Sequence, residues 1–152
     1  MKVADWTQAC AREVAHWRYE PPYDFYDLAS DPADEAAMHD PSRAEHYRAV
    51  IEEDGERLDA FWFFDWDGDV VEVGIGLRPD LTGCGLGESF LRAQLDYATH
   101  RWRPASFRLF VAAWNERAIR LYERLLFREV DRETRSFELV GQHEFVRMER
   151  AA

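Results

Sequence analysis

Val70-Val71-Glu72-Val73-Gly74-Ile75-Gly76-Leu77-Arg78-Pro79-Asp80-Leu81-Thr82-Gly83-Cys84-Gly85-Leu86-Gly87 is the stretch that decides how this chain is built. Residues 70–77 read as a strand, ended by Arg78-Pro79-Asp80. A loop with glycines at 83, 85 and 87 follows, then a helix over about 87–100. Its apolar positions Leu91, Leu95, Ala98 and Trp102 recur at helical spacing, and Pro104 lies just past its end. Residues 107–112 read as the next strand. Strand, helix and strand in that order imply a parallel pair joined by a crossover helix. The loop aims several backbone N–H groups and the positive end of a helix dipole at one spot, which makes an anion cradle for a phosphate or pyrophosphate. No Lys is present for a P-loop. A dinucleotide fingerprint fails as well, because the third glycine position falls on Glu88 counted from Gly83 and on Pro79 counted from Gly74. Taken alone, the same glycines fit a structural tight turn.

Outward from this stretch, Asp5 can cap a helix to about Trp17, with Trp6, Cys10, Val14 and Trp17 at spacings of four, four and three. Residues 20–27 hold two prolines and three aromatics and form an ordered loop. Asp31-Pro32 opens a short helix through about Met38. Residues 46–52, 57–66 and 70–77 read as three strands in a meander, joined by turns at 53–56 and at Asp67-Gly68. Asn115 caps a helix through about Leu126, with Ala118, Leu121, Tyr122 and Leu125 on its apolar side. Residues 127–138 and 143–150 close the chain as two strands around Gly141-Gln142. The expected fold class is α+β, a mixed and mostly antiparallel sheet flanked by helices.

The 152 residues favour one domain, 1–152, large enough to fold without a disulfide or metal staple. Apolar residues make up 47% and aromatics 14%, which excludes a disordered acidic chain despite the net charge of −11. No apolar run approaches a membrane span, and no signal peptide is visible, so the expected compartment is the cytoplasm. Cys10 and Cys84 make no disulfide framework. The five histidines show no metal-ligand spacing, so no metal is expected. Thirty acidic residues against nineteen basic ones argue against nucleic acid and against an anionic membrane surface as partners. They suit a cationic partner somewhat better, although a solvated surface explains them as well.

Two segments together carry a family resemblance. Leu81-Thr82-Gly83-Cys84-Gly85-Leu86-Gly87 lies between a strand and a helix. After the next strand comes Asn115-Glu116-Arg117-Ala118-Ile119-Arg120-Leu121-Tyr122-Glu123-Arg124-Leu125-Leu126-Phe127. This order resembles the GNAT family of acyl-CoA-dependent N-acetyltransferases, whose loop reads [Q/R]-x-x-G-x-[G/A] and whose later helix reads N-x-x-A-x-x-L-Y-x-x-x-G-F. Gly85 and Gly87 match the first motif. Asn115, Ala118, Leu121, Tyr122 and Phe127 match the second. Thr82 departs from the loop pattern, Cys84 and Glu88 stand where basic residues are common, and Leu126 replaces the glycine that ends the helix. From Leu126, the left-handed cap is expected to be missing. The early first helix implies a first strand that is missing or very short.

The resemblance implies a variable acceptor side at about 1–69, an acyl-CoA core at about 70–130 and a C-terminal hairpin at 127–150. It implies acetyl-CoA as acyl donor and a primary amine of a small molecule or peptide as acceptor, acetylated by direct attack. The cofactor-binding residues it implies are Ile75, Gly76 and Leu77 along the pantetheine, Gly83, Cys84, Gly85, Leu86, Gly87 and Glu88 around the pyrophosphate, and Asn115. A backbone N–H near Leu77 would face the oxyanion. Tyr122 would protonate the departing thiolate. Glu72 would relay the proton of the amine, or else serve as a structural partner of an arginine such as Arg108. Glu88 would weaken anion binding unless it turns away or Arg78 compensates. Asp24, Asp27 and Asp31, with Tyr23, Phe25 and Tyr26, would attract a cation. The other function class open to the chain is a catalytically degenerate CoA-binding regulator or protein-interaction module on the same fold. Dimers are common in the family, which adds a second copy of the chain to the partners.

Overall fold

The computed structural model describes residues 1–152. In chain order its elements are strand β1 (Lys2–Asp5), helix α1 (Gln8–Ala15), helix α2 (Pro32–His39), strands β2 (Tyr47–Ile51), β3 (Leu58–Asp67) and β4 (Val70–Leu77), helix α3 (Gly87–Trp102), strand β5 (Ser106–Ala112), helix α4 (Glu116–Arg124), and strands β6 (Arg128–Phe137) and β7 (Gly141–Ala151). Short 3-10 turns occupy Tyr23–Tyr26, Leu28–Ser30, Pro41–His46 and Pro79–Leu81. The sheet has seven strands in the order β1-β2-β3-β4-β5-β7-β6. β4 pairs with β5 in parallel, Val70 beside Ser106 and Glu72 beside Arg108. β1–β2, β2–β3 and β5–β7 are antiparallel. The mixed, mostly antiparallel sheet expected from the strand pattern is therefore present, with the parallel pair at the crossover helix.

The chain forms two compact units. The first comprises Met1–Phe63, Ile75–Thr82 and Phe137–Gly141. Its core gathers Trp6, Val14, Trp17, Leu28, Met38 and Tyr47, with Phe61 and Phe63 packed against them. Trp6 Nε1 donates to the Met38 carbonyl at 2.9 Å, which ties the start of α1 to the end of α2. Asp5 does not cap α1. It lies in β1, opposite Arg48 of β2, and Thr7 is the cap, its hydroxyl accepting from Cys10 N at 3.3 Å. Four residues are too few to display a period of two, so this first strand is short but present. Asp31 caps α2 as expected, accepting from Asp34 N.

The second unit comprises Phe64–Gly74, Gly83–Ser136 and Gln142–Ala152. Val71 and Val73 of β4, Leu91 and Leu95 of α3, and Phe107, Leu109 and Val111 of β5 are buried. Gln94 is fully buried on α3 and donates to the Gly74 carbonyl at 2.8 Å, fixing the helix on its strand. α4 ends differently from expectation. Leu126 adopts φ +71°, Leu126 N donates to Glu123 O, and Phe127 N donates to Tyr122 O, both at 3.0 Å. These two bonds are those of a Schellman cap. The left-handed cap is thus built without glycine, because the carbonyls of the last turn need these donors and Phe127 must turn back into the core, where it is buried. The side chain of Leu126 is 71% exposed and returns little for the strain. We expect Leu126→Gly to stabilise the chain by about 1 kcal/mol, since glycine removes the left-handed penalty and few contacts are lost. Urea unfolding measures this, and a stability equal to or below that of the parent chain contradicts it.

Candidate active site

In the first unit, β4 ends at Ile75, Gly76 and Leu77, all half-buried. Gly76 is required sterically. A Cβ there would strike the Phe61 ring, with Cζ only 2.5 Å away. The Leu77 carbonyl accepts from the Tyr19 hydroxyl at 2.5 Å. Burial, with the Asp27 charge as a second cause, pushes the Tyr19 phenol well above its ordinary range, so it stays a donor. Tyr19 N in turn donates to Asp27 Oδ1 at 2.9 Å. Asp27 is 8% exposed and Asp31 is a helix cap, so two of the three acids expected to attract a cation are engaged in holding the backbone. Phe25 packs edge-on against Tyr26 at 5.1 Å and against Phe137 at 5.2 Å. Arg78 is 9% exposed and holds Asp59 at 2.7 Å and Asp80 at 2.6 Å. It fastens the strand exit and is not the residue that compensates Glu88. Thr82, in place of the usual Gln or Arg, closes its own turn on the Pro79 carbonyl.

In the second unit, Gly83 and Gly85 take φ +72° and +76°, and a Cβ on either would meet nothing within 4 Å. The loop is thus left-handed and open. It feeds α3, whose N-terminus has no side-chain cap, and the first bond of its opening turn is Phe90 N to Leu86 O. The N–H groups ahead of Phe90 have no partner within the helix. Gly87 is tight instead, since its Cβ would stand 3.0 Å from Leu121 of α4. Glu88 is held by Arg92 at 2.8 Å and by Arg124 at 3.5 Å. These bonds, the one from Arg92 first, keep its carboxyl below the usual range. Its charge is answered within the helix layer, and the i,i+4 spacing of Glu88 and Arg92 is a signal that the sequence carried.

Asn115 caps α4, and Tyr122 lies within the helix seven residues later. Asn115 is 7% exposed, and its Oδ1 accepts from Ala118 N at 3.2 Å, so the helix cap read from the sequence exists. The half-buried Tyr122 ring lies edge-on to Phe127, with centroids 6.2 Å apart. Glu72 belongs to a separate group. Arg108 binds it at 3.2 Å and binds Asp67 at 3.1 Å. Burial lifts the Glu72 carboxyl above its ordinary range, and Arg108 pulls it part of the way back. Phe110 of β5 is covered by the Arg135 guanidinium at 4.2 Å. No group of three or more His, Cys, Asp or Glu is placed to hold a metal ion, and no helix is long and apolar enough to cross a membrane.

The loop and α3 start of the second unit therefore fit a pyrophosphate, on backbone N–H groups with open space in front of the glycines. Comparisons with known proteins show the family and the fold. The family described as Acetyltransferase (GNAT) family matches residues 4–127. Among solved structures, a chimera of the Vibrio cholerae spermidine N-acetyltransferase SpeG and hSSAT superposes with a TM-score of 0.75 at 18% identity, covering 99% of this chain and 96% of that one. The ribosomal-protein-S18-alanine N-acetyltransferase from Escherichia coli gives 0.72 at 21% identity, over 99% of this chain and 92% of that one. A GNAT-family acetyltransferase from Bacillus anthracis gives 0.75 at 12% identity, over 98% and 93%. No curated protein sequence matches the chain at a significant level.

Arg108 lowers the Glu72 pKa and burial raises it, so Arg108→Leu is expected to move the Glu72 titration to higher pH. Carboxyl-carbon NMR of Glu72 reads the shift, and an unchanged midpoint contradicts the pairing. The same raised pKa means that the folded chain binds this proton more tightly than the unfolded one. The Glu72 contribution to stability therefore falls as pH rises from the ordinary carboxylate value of 4.5 through the folded one.

Proposed function

Because the chain belongs to the GNAT family of acyl-CoA-dependent acetyltransferases, we propose that it transfers an acetyl group from acetyl-CoA to a primary amine of a small molecule or peptide in the cytoplasm. The observation that carries this reading is the open left-handed loop at Gly83 and Gly85, placed against an uncapped helix N-terminus. When bound, acetyl-CoA supplies an acetyl group activated as a thioester. In the second unit, the N–H groups of residues 83–88 hold the pyrophosphate, and the ion pairs from Arg92 and Arg124 make Glu88 tolerable there. Asn115 keeps its Oδ1 on the helix cap and offers its amide N–H to the pantetheine. In the first unit, Ile75, Gly76 and Leu77 present strand edge to the pantetheine, as an added strand would meet it. Tyr19 grips the Leu77 carbonyl, so the neighbouring N–H groups that would face an oxyanion are held in place.

The amine must be neutral to attack. Its nitrogen forms the new bond to the acyl carbon as the carbon–sulfur bond breaks. Glu72 takes the amine proton through water, for which its raised pKa suits it. Tyr122 Oη gives a proton to the leaving sulfur. Phe25, Tyr26 and Phe137 offer ring faces to the acceptor, and the net charge of −11 favours a cationic one.

The test is a thiol-release assay with acetyl-CoA over a panel of small cationic amines and peptide N-termini. Amine-dependent thiol release is expected, and release no faster than hydrolysis with every amine contradicts the reading. With an accepted amine, Tyr122→Phe is expected to lower kcat by roughly 100-fold or more at unchanged acetyl-CoA affinity. Unchanged turnover removes Tyr122 from the mechanism.

A further inference from the structure

In the second unit, the two faces of the sheet differ in kind. Along β5 and β7, Phe107, Leu109, Val146 and Met148 are buried. The alternate positions point the other way, and most of them carry charge. Strand register sets them in rows: Glu72 beside Arg108 beside Glu149, then Phe110 beside Arg147, then Ala112 beside Phe145. β6 adds Arg135 to this face. Its guanidinium carbon stands 4.2 Å from the Phe110 ring centroid and 5.0 Å from that of Phe145.

The three arginines of this face are held differently. Arg108 is engaged by two acids, Glu72 at 3.2 Å and Asp67 at 3.1 Å. Arg135 gives one N–H to the exposed Glu133 at 2.9 Å, and the two rings fix where its charge lies. Arg147 has the least. Its Nε is buried with no hydrogen-bond partner, and Glu149 approaches it only to 3.6 Å, outside hydrogen-bond range. A buried donor without an acceptor is costly. Two guanidinium groups flanking one phenyl ring also repel each other. An anion placed between them removes both penalties.

We propose that Arg135 and Arg147 form a carboxylate subsite, and that the amine acetylated by this chain carries a carboxylate at its far end, an assignment that rests on the transferase reading above with Glu72 taking the amine proton. The planar fork of arginine matches a carboxylate in geometry as well as charge. The Phe110–Arg147 row lies next along the strands from the row of Glu72 and Arg108, so one small molecule spans both, its amine toward Glu72 and its carboxylate toward the arginine pair. A second ammonium group at that end would meet two positive charges. Glu133 and Glu149 each hold their arginine by a single contact and are partly open to water. Pairs of this type contribute little, and an incoming carboxylate displaces them.

Steady-state thiol release with acetyl-CoA tests this on the full chain. γ-Aminobutyrate and its longer homologues are compared with their primary amides and with diamines of matching length. A carboxylate-bearing amine is expected to exceed both its amide and its diamine in kcat/KM by about tenfold or more, the gain lying in KM. Arg147→Gln, with its fold checked by circular dichroism, is expected to abolish that preference. A second measurement needs no turnover and no variant. The Nε–H resonance of Arg147 is expected to shift saturably with the same amino carboxylates in the absence of acetyl-CoA, and not with their amides. Such shifts without thiol release from any amine overturn the transferase reading and uphold the subsite. Thiol release that shows no preference for the carboxylate, a preference that survives Arg147→Gln, or a resonance that does not distinguish carboxylate from amide overturns the subsite.

Discussion

The parallel pairing of β4 with β5 is the constraint from which the rest of the molecule follows. Two parallel neighbours cannot be joined by a tight turn, so the chain must return over the sheet as a helix. That helix is α3, held on its strand by the bond from Gln94 to the Gly74 carbonyl. Residues 78–86 lead from β4 to α3, with left-handed backbone at Gly83 and Gly85. The proposed anion cradle uses that helix end, which has no capping side chain. α4 braces the same corner, because Leu121 closes on Gly87 and Arg124 on Glu88.

Charge is handled locally in this acidic chain. In the first unit Arg78 binds Asp59 and Asp80; in the second, Arg108 binds Glu72, and Arg92 and Arg124 bind Glu88. The exposed pairs add little stability. Their consequence lies in placement, since the charge of Glu88 is already matched by Arg92 and Arg124. Glu72 is the exception in kind. It is half-buried, its arginine is shared with Asp67, and its proton affinity is raised.

What the sequence revealed follows the range of the interactions involved. The strand–loop–helix signature, the Asn115 and Asp31 caps and the meander rest on local chemistry, and each was legible. β1 escaped because four residues show no period and because its partner, β2, lies more than forty positions away. The turn at Leu126 escaped because a non-glycine left-handed residue is imposed from outside, by Phe127 packing inward and by the carbonyls of α4. Tyr19 and Arg78 act through partners that no spacing rule connects to them. The expectation that Asp27 and Asp31 would draw a cation gave way to backbone hydrogen bonds, the commoner use of an acid in a turn.

The account stands or falls on whether the glycine loop holds acetyl-CoA. The direct measurement is titration calorimetry of the chain with acetyl-CoA, beside Gly85→Val. At Gly85 a β-branched side chain meets no atom of the fold but must take a left-handed backbone in front of the cradle. The account predicts saturable micromolar binding by the parent chain and its loss in a variant that remains folded. Absence of binding to the parent chain, or equal binding by both, would contradict it.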